Sequence, residues 1–115
     1  MPPIPRSRQL VWTSHAKAKM QFYKLSPARV RRVLNVPKRI EEGVAPKTVA
    51  MMQPGSVKTS GQKETWNQEI WVMFQDSPQE RKVISAWRYP GVTKPRSAIL
   101  RNMARQEYQS YDSSK

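Results

Sequence analysis

The residues of this chain that could carry chemistry are its many cations, its single imidazole and its tyrosines. Twenty-one Lys and Arg stand against eight Asp and Glu, which gives a formal net charge of +13. Residues 1–40 contain ten basic residues and no acid. A field of this sign attracts phosphate groups and speeds the encounter with a polyanion. The charge therefore predicts a surface that binds RNA, DNA or an acidic protein partner.

This chain lacks the residues that most kinds of enzyme catalysis require. The chain has one His, no Cys and dispersed acids, so we expect no metal site. Its four glycines are scattered and form no phosphate-binding loop, so we expect no cofactor. The reaction left open is RNA cleavage without metal, in which a ribose 2′-hydroxyl attacks its own phosphate. The protein must then accept a proton, stabilise the phosphoryl charge and protonate the leaving oxygen.

Three side chains are the candidates for that reaction. His15 is the only imidazole and falls in the first turn of a predicted helix. Arg88 and Tyr89 end the last predicted strand, where an Arg and a Tyr suit a phosphate site. A lone His can also be structural, and an Arg–Tyr pair can also cover a sheet edge. If the three side chains converge within about one phosphate group, the enzyme hypothesis gains over a binding protein.

Six further cations are candidates for contacts with the nucleic-acid backbone. Two lie on the second predicted helix, two in a predicted loop and two on the last helix: Arg29 and Arg32, Lys58 and Lys63, Arg101 and Arg105. Cations on helix faces are also often simply solvated. The four tryptophans could stack on bases or pack in the core.

Capping residues and Pro place the helices. A Thr–Ser pair precedes a helix predicted over about 15–24, and Ser26-Pro27 opens a second one that ends near residue 35. A last helix is predicted over about 94–108, opened by Lys94-Pro95.

Strands are predicted between the helices, where apolar residues alternate with period two. The strongest strand is predicted over 64–75, with a return strand over 81–89, and three weaker strands over 9–12, 39–42 and 47–53. The alternation places Trp71 and Met73 on one face of the strongest strand, and the opposite face carries Trp66, Ile70, Val72 and Phe74. It also places Ser85 and Ile84 on opposite faces of the return strand. Residues 54–63 are predicted to be a flexible polar loop. This order predicts an α+β domain, with helices on one face of a twisted antiparallel sheet of three to four strands and a C-terminal helix.

The chain is predicted to form one domain over 9–109. Residues 1–8 contain three prolines and two arginines and are predicted to be a flexible basic arm. The polar residues 110–115 are predicted to be a disordered tail. No segment is apolar enough to cross a bilayer, so no membrane contact is expected. The lack of Cys fits the cytoplasm, which is the predicted location.

Four segments carry a resemblance to a known superfamily. Residues 14–20 (SHAKAKM), 25–30 (LSPARV) and 37–42 (PKRIEE) are similar to an uncharacterised family related to the RelE-like ribonuclease toxins. Residues 81–88 (RKVISAWR) resemble the last strand of BrnT toxins, which belong to the same superfamily. The resemblance covers roughly residues 9–108.

This resemblance implies a compact RelE-like fold and metal-free cleavage of mRNA or of ribosome-associated RNA. It also implies an acidic antitoxin protein that covers the basic cleft. Arg88 and Tyr89 match basic and tyrosine positions of the superfamily's last strand, and Lys58 and Lys63 fall where basic residues are expected. The chain departs from the pattern on the strand that should carry a central Arg, because that strand has Glu69.

Two functions therefore stand as predictions. The first is a metal-independent RelE-like endoribonuclease of the toxin type, with His15, Arg88 and Tyr89 in or beside its site. The second is a non-catalytic nucleic-acid-binding domain, including a ribosome-associated one, that uses the same basic surface. RNA is preferred over DNA because of the resemblance and because the chain lacks a helix-turn-helix or zinc pattern. No oligomeric state follows from the sequence.

Overall fold

The computed structural model describes residues 9–114, so the basic arm predicted at 1–8 lies outside the described residues. Within them the elements follow in the order β1 (Gln9–Trp12), α1 (Ser14–Tyr23), α2 (Pro27–Asn35), β2 (Arg39–Glu42), β3 (Thr48–Pro54), β4 (Lys58–Ser60), β5 (Lys63–Thr65), β6 (Glu69–Asp76), β7 (Glu80–Tyr89) and α3 (Ala98–Ser113). The α+β class and the order of helices and strands are confirmed.

Five of the strands form one mixed sheet in the order β1-β7-β6-β3-β2. β1 runs parallel to β7, and the other neighbours are antiparallel. The prediction of three to four antiparallel strands is therefore corrected in number and in direction. Both edge strands have only four residues, which is too few for a period-two pattern to reveal where a strand pairs.

The predicted polar loop at 54–63 is largely a second, two-stranded sheet. β4 and β5 pair in an antiparallel hairpin, and Gly61 between them has a φ of +64°. A residue without Cβ adopts that left-handed conformation at no steric cost. Every residue of β4 and β5 is exposed, so this hairpin has no apolar alternation and its sequence is typical of a loop.

The helices cover both faces of the five-stranded sheet, which corrects the prediction of helices on one face. α1 and α2 cover the first face, in a core that contains Ala16, Met20, Val30, Val33, Leu34, Ile70, Val72 and Phe74. α3 covers the second face, in a core that contains Trp71, Met73, Ile84, Trp87, Leu100, Ala104 and Tyr111. A strand buried on both faces is apolar throughout, which explains the continuous apolar run of β6.

Side-chain caps begin all three helices. The Thr13 side chain accepts from the Ala16 N–H, and the Ser26 side chain accepts from the Arg29 N–H. Ser97 caps α3 in the same way, so this helix begins later than the predicted start at Lys94-Pro95. A capping side chain satisfies one of the N–H groups that a helix start leaves without a partner.

The C-terminal tail predicted from residue 110 is helical as far as Ser113. The polar composition of this segment does not reveal its one buried side chain, that of Tyr111, which lies in the second core. Tyr108 packs at the edge of the same core, and its ring centroid lies 5.8 Å from that of Tyr111. Burial of these rings on one side of α3 stabilises the last turns of the helix.

A β-bulge changes the faces of β7. Val83 pairs with Phe74 and Ser85 pairs with Met73, so Ile84 is the extra residue. Ile84 lies in the second core, and Ser85 also faces α3, where its hydroxyl donates to Glu107. The predicted placement of Ile84 and Ser85 on opposite faces is wrong, because strict alternation has no place for an inserted residue.

A buried carboxylate fixes the connection from β7 to α3. Glu69 is 0% exposed and accepts from Trp66 Nε1 at 2.9 Å and from Trp71 Nε1 at 3.0 Å. It also accepts from the N–H and the hydroxyl of Thr93, at 3.1 and 2.7 Å. Arg39 of β2 donates to the carbonyl and the hydroxyl of Thr93. Trp66, predicted to lie on the same face as Ile70, therefore belongs to the opposite face.

We expect Glu69→Ala to lower the free energy of unfolding by about 3 kcal/mol, because it leaves buried N–H donors without an acceptor. Urea denaturation followed by tryptophan fluorescence measures the change. The control is Glu64→Ala, which removes an exposed carboxylate and is expected to cost within about 0.5 kcal/mol. Equal losses for the two variants would contradict this role of Glu69.

Candidate functional site

Three arginines from two elements lie close together at one end of the first face. Arg29 and Arg32 are on α2, and Arg88 is near the end of β7. Burial lowers the pKa of Arg29, and the positive charges of Arg32 and Arg88 lower it further. Arg32 and Arg88 therefore both lie near enough to Arg29 to repel its charge, and we call the three residues the arginine cluster.

Backbone carbonyls and an amide hold Arg88 in place. Its Nε donates to the carbonyl of Tyr23 at 2.8 Å, and its Nη2 reaches the carbonyl of Lys24 at 3.5 Å. Its Nη1 donates to Gln68 Oε1 at 3.0 Å. Tyr23 and Lys24 end α1, where the carbonyls lack partners within the helix and carry the negative end of its dipole. Arg88 thus supplies donors to the end of a helix.

A glutamine holds Arg29. Gln53 of β3 donates through Nε2 to the carbonyls of Arg32 and Val36, at 3.1 and 2.6 Å. Its Oε1 is thereby turned to Arg29, whose Nη1 donates to it. Arg29 Nη2 also donates to the carbonyl of Pro54 at 3.3 Å. The amide of Gln53 consequently ties the last turn of α2 to the cluster.

All these acceptors are neutral, so they orient the guanidinium groups and leave their charge in place. Among residues 9–114, the salt bridges leave Arg29, Arg32 and Arg88 without a carboxylate partner. Elsewhere in the fold arginines do meet acids: Arg39 pairs with Glu41, and Arg81 pairs with Asp76. A planar guanidinium with free donors matches the geometry of a phosphate oxygen pair.

Further cations surround the arginine cluster. Residues 14–35, which span α1 and α2, contain six basic residues and no acid: Lys17, Lys19, Lys24, Arg29, Arg31 and Arg32. The hairpin of β4 and β5 leaves the sheet beside Gly55, whose N–H donates to the carbonyl of Gln68 at 2.9 Å. Because Gln68 also contacts Arg88, exposed Lys58 and Lys63 extend from the same end of the sheet as the cluster.

His15 lies away from the cluster. Its Nε2 is 3.0 Å from Oε1 of Glu107 on α3, whose carboxylate also meets Lys19 Nζ at 3.0 Å. His15 begins α1, whereas Arg88 contacts the carbonyls at its end. At 1.5 Å per residue the two ends of α1 are roughly 12 Å apart. His15 therefore joins α1 to α3 and does not reach the phosphate site that Arg88 could form.

Tyr89 also points elsewhere. It follows Arg88 on β7 and lies on the opposite face, where it packs beside the second core. Its ring covers Gly91 so closely that a Cβ at that position would come within 2.9 Å of Tyr89 Cε2. The structure therefore does not bring His15, Arg88 and Tyr89 together.

The two predicted cations of α3 lie on the second face. Arg101 and Arg105 are exposed, and Arg105 Nη1 donates to Asn102 Oδ1 at 3.0 Å. Arg101 lines a cavity of about 620 Å³ between β2 and α3, together with Arg39 and Arg96. The sheet separates both residues from the arginine cluster.

Gln53 and Gln68 hold arginines of the cluster but were not predicted as site residues, because a Gln in the sequence carries no signal of the distant arginine that it contacts. The described residues contain no group of three or more His, Cys, Asp or Glu side chains suited to a metal ion. They also contain no helix with the length and apolar character to cross a bilayer. Comparisons with protein-family models, curated proteins and solved structures find no match for this chain.

The carboxylate of Glu107 has a shifted pKa. Burial acts to raise its pKa, but hydrogen bonds from Ser85, Lys19 and His15, with the charge of Lys19, hold the pKa below its ordinary value of 4.5. A carboxylate whose pKa falls on folding stabilises the fold above its unfolded pKa. That contribution is lost as the pH falls through the lower pKa of the folded state.

We expect Glu107→Gln to destabilise the fold most at about pH 7, and we expect the difference from the wild type to shrink as the pH falls below 4.5 and through the lowered pKa of Glu107 in the folded state. Thermal unfolding across this range measures the difference. The control is Glu80→Gln, since the Glu80 side chain makes no hydrogen bond among the described residues. A difference between Glu107→Gln and the wild type that stays constant with pH would contradict the assignment.

Proposed function

We propose that this protein binds RNA and that the arginine cluster holds a phosphate group of the backbone. The observation that carries this proposal is a group of three arginines in which Arg29 and Arg88 have neutral acceptors, and none of the three has a carboxylate partner among residues 9–114. Grouping like charges is unfavourable in the free protein, and a phosphate relieves that repulsion. The oriented donors add charge-assisted hydrogen bonds.

The surroundings of the cluster support a single-stranded, aromatic-stacking ligand over a compact anion. Phe22 on α1 is 75% exposed, and Lys19 Nζ lies 5.9 Å from the centre of its ring. Arg31 lies 5.5 Å from the centre of the ring of Trp12, which is half-buried against the first core. Exposed aromatic rings beside cations stack on unpaired bases, while the cations follow the phosphates. The basic residues of α1 and α2 would then extend the contact along the strand.

Ribonuclease activity of the RelE-like toxin type is the second candidate. The order strand, helix, helix, strands and helix supports it, and Arg88 lies at the end of the last strand within the cluster. In this proposal Arg88 stabilises charge on the phosphate, the substrate is mRNA or ribosome-bound RNA in the cytoplasm, and an acidic antitoxin covers the same surface. His15 lies at the other end of α1 and Tyr89 lies on the opposite face of the sheet, so neither is positioned to exchange a proton with RNA bound at the cluster.

We expect the double variant Arg29→Ala, Arg32→Ala to bind single-stranded RNA at least about tenfold more weakly and to reduce the salt slope by about 1, because the phosphate that the cluster holds is lost. Fluorescence anisotropy with a labelled oligoribonucleotide at several salt concentrations measures both. The matched control is Lys82→Ala, Lys94→Ala, which removes the same charge outside the cluster. Equal weakening by the two double variants would show that only net charge matters.

Cleavage is tested separately, with total cellular RNA in EDTA. The ribonuclease proposal expects the wild type to cleave and the double variant Arg88→Ala, Tyr89→Ala to leave the RNA intact, because the phosphate loses its stabilising charge. Electrophoresis of the RNA measures cleavage. Intact RNA with the wild type, together with tight and salt-sensitive binding, would overturn the free enzyme and leave a binding domain.

A further inference from the structure

The outer edge of β2 has unpaired backbone groups. β2 is an edge strand, and no strand among residues 9–114 pairs with its outer side. The Gly43 N–H donates to the Thr48 carbonyl at the end of the ladder with β3. The Lys38 N–H, just before the strand, also donates inward, to the Met52 carbonyl at 2.7 Å. Because hydrogen-bonded positions alternate along an antiparallel ladder, the N–H and C=O of Glu41 and Arg39 also face β3. Those of Ile40 therefore point outward, where another strand can pair with them.

The charges along this edge are complementary to those of a second copy of β2 that runs antiparallel to it. Residues 38–42 read Lys, Arg, Ile, Glu, Glu. In an antiparallel pair of two copies with Ile40 opposite Ile40, Arg39 lies opposite Glu41 and Lys38 lies opposite Glu42. The two-fold symmetry repeats both pairs, so all four charged pairs across the interface are attractive. Within one copy Arg39 already pairs with Glu41 and Lys38 with Glu64, so the pairs across the interface extend these existing ion pairs. Opposite charges directly across a strand pair stabilise it, and like charges destabilise it.

The same charges exclude the neighbouring registers. A shift of one residue would place the outward N–H and C=O groups of one copy opposite groups of the other copy that already face β3. It would also turn the apolar face of one copy to the opposite side of the joined sheet. A shift of two residues in one direction places Glu41 opposite Glu41, and in the other direction it places Arg39 opposite Arg39. Only the register centred on Ile40 avoids like charges across the axis.

We propose that two copies of this chain associate through β2, in an antiparallel pair centred on Ile40. The interface is isologous, as a two-fold dimer requires. Apolar surface lies at the axis, since Ile40 is 44% exposed, and Val36 just before the strand is exposed as well. The two five-stranded sheets join into one, and the axis normal to the sheet keeps both arginine clusters on the same face. The dimer does not depend on RNA binding.

A single cysteine at the axis tests the register directly. The chain has no Cys, so Ile40→Cys introduces one thiol per copy. In a hydrogen-bonded antiparallel pair the two Cα atoms lie about 5.5 Å apart, which is within the range that a disulfide spans. The control is Val57→Cys on the loop before β4, because Val57 is 43% exposed and matches Ile40 in accessibility.

We expect Ile40→Cys, purified free of nucleic acid, to form a covalent dimer at least about tenfold faster than Val57→Cys, because the dimer holds its thiols at high effective concentration. Non-reducing electrophoresis after mild oxidation measures both rates. Equal rates for the two variants would overturn the proposal.

Association without a thiol is measured by sedimentation equilibrium between roughly 10 µM and 1 mM, since an edge of four residues predicts a weak dimer. The wild-type mass is expected to rise from 13.4 kDa toward twice that value with concentration. Ile40→Pro removes the outward N–H and is tolerated on an edge strand, so it is expected to fold and stay monomeric. A wild type that is monomeric throughout, or an equally dimeric Ile40→Pro, would overturn the proposal.

A pair of charge reversals checks the complementarity even where Ile40→Pro weakens the fold. Lys38→Glu and Glu42→Lys each place like charges across the axis, so each variant alone is expected to associate less than the wild type. Mixed together they restore both pairs, so a heterodimer is expected at the wild-type level. Native mass spectrometry distinguishes the two chains, and a mixture that associates no better than its components would overturn the proposal.

Discussion

Arg88 is held by the carbonyl groups that end α1, and the character of the basic surface depends on this contact. A partly buried guanidinium is usually satisfied by a carboxylate, which would cancel its charge. Here the helix end supplies the acceptors and the negative end of its dipole. Gln68 completes the set, and Gln53 does the same for Arg29. Donors are therefore oriented while three positive charges remain available to a ligand.

Most acids of the chain bind other residues of the fold. Glu69 binds two tryptophans and Thr93 on the second face, and Glu107 joins α1, α3 and β7. Asp76, Glu41 and Glu64 each pair with a cation of their own. Five of the eight acids are thus engaged away from the arginine cluster. The net charge is consequently concentrated on α1 and α2, the elements that frame the cluster.

Local signals predicted the helices and the central strands. The Ser26-Pro27 start signal predicted where α2 begins, and alternation predicted the two faces of β6. Other features depend on contacts between distant residues, so no local pattern predicts them. They are the parallel pairing of β1, the bulge at Ile84 and the sheet face that α3 covers. The same holds for the site. Arg29, Arg32 and Arg88 could be named from residue type. Their proximity and their glutamine partners arise only when α2 packs on β3 and β6 and the end of α1 meets Arg88.

The central claim is that the arginine cluster holds an RNA phosphate, and NMR of the arginine Nε–Hε signals tests it most directly. During titration with a short single-stranded oligoribonucleotide, we expect the signals of Arg29, Arg32 and Arg88 to shift together and to saturate, because one phosphate contacts all three. The signals of Arg101 and Arg105 on the other face are expected to stay in place. Saturable shifts confined to α3, or uniform shifts that never saturate, would contradict the claim.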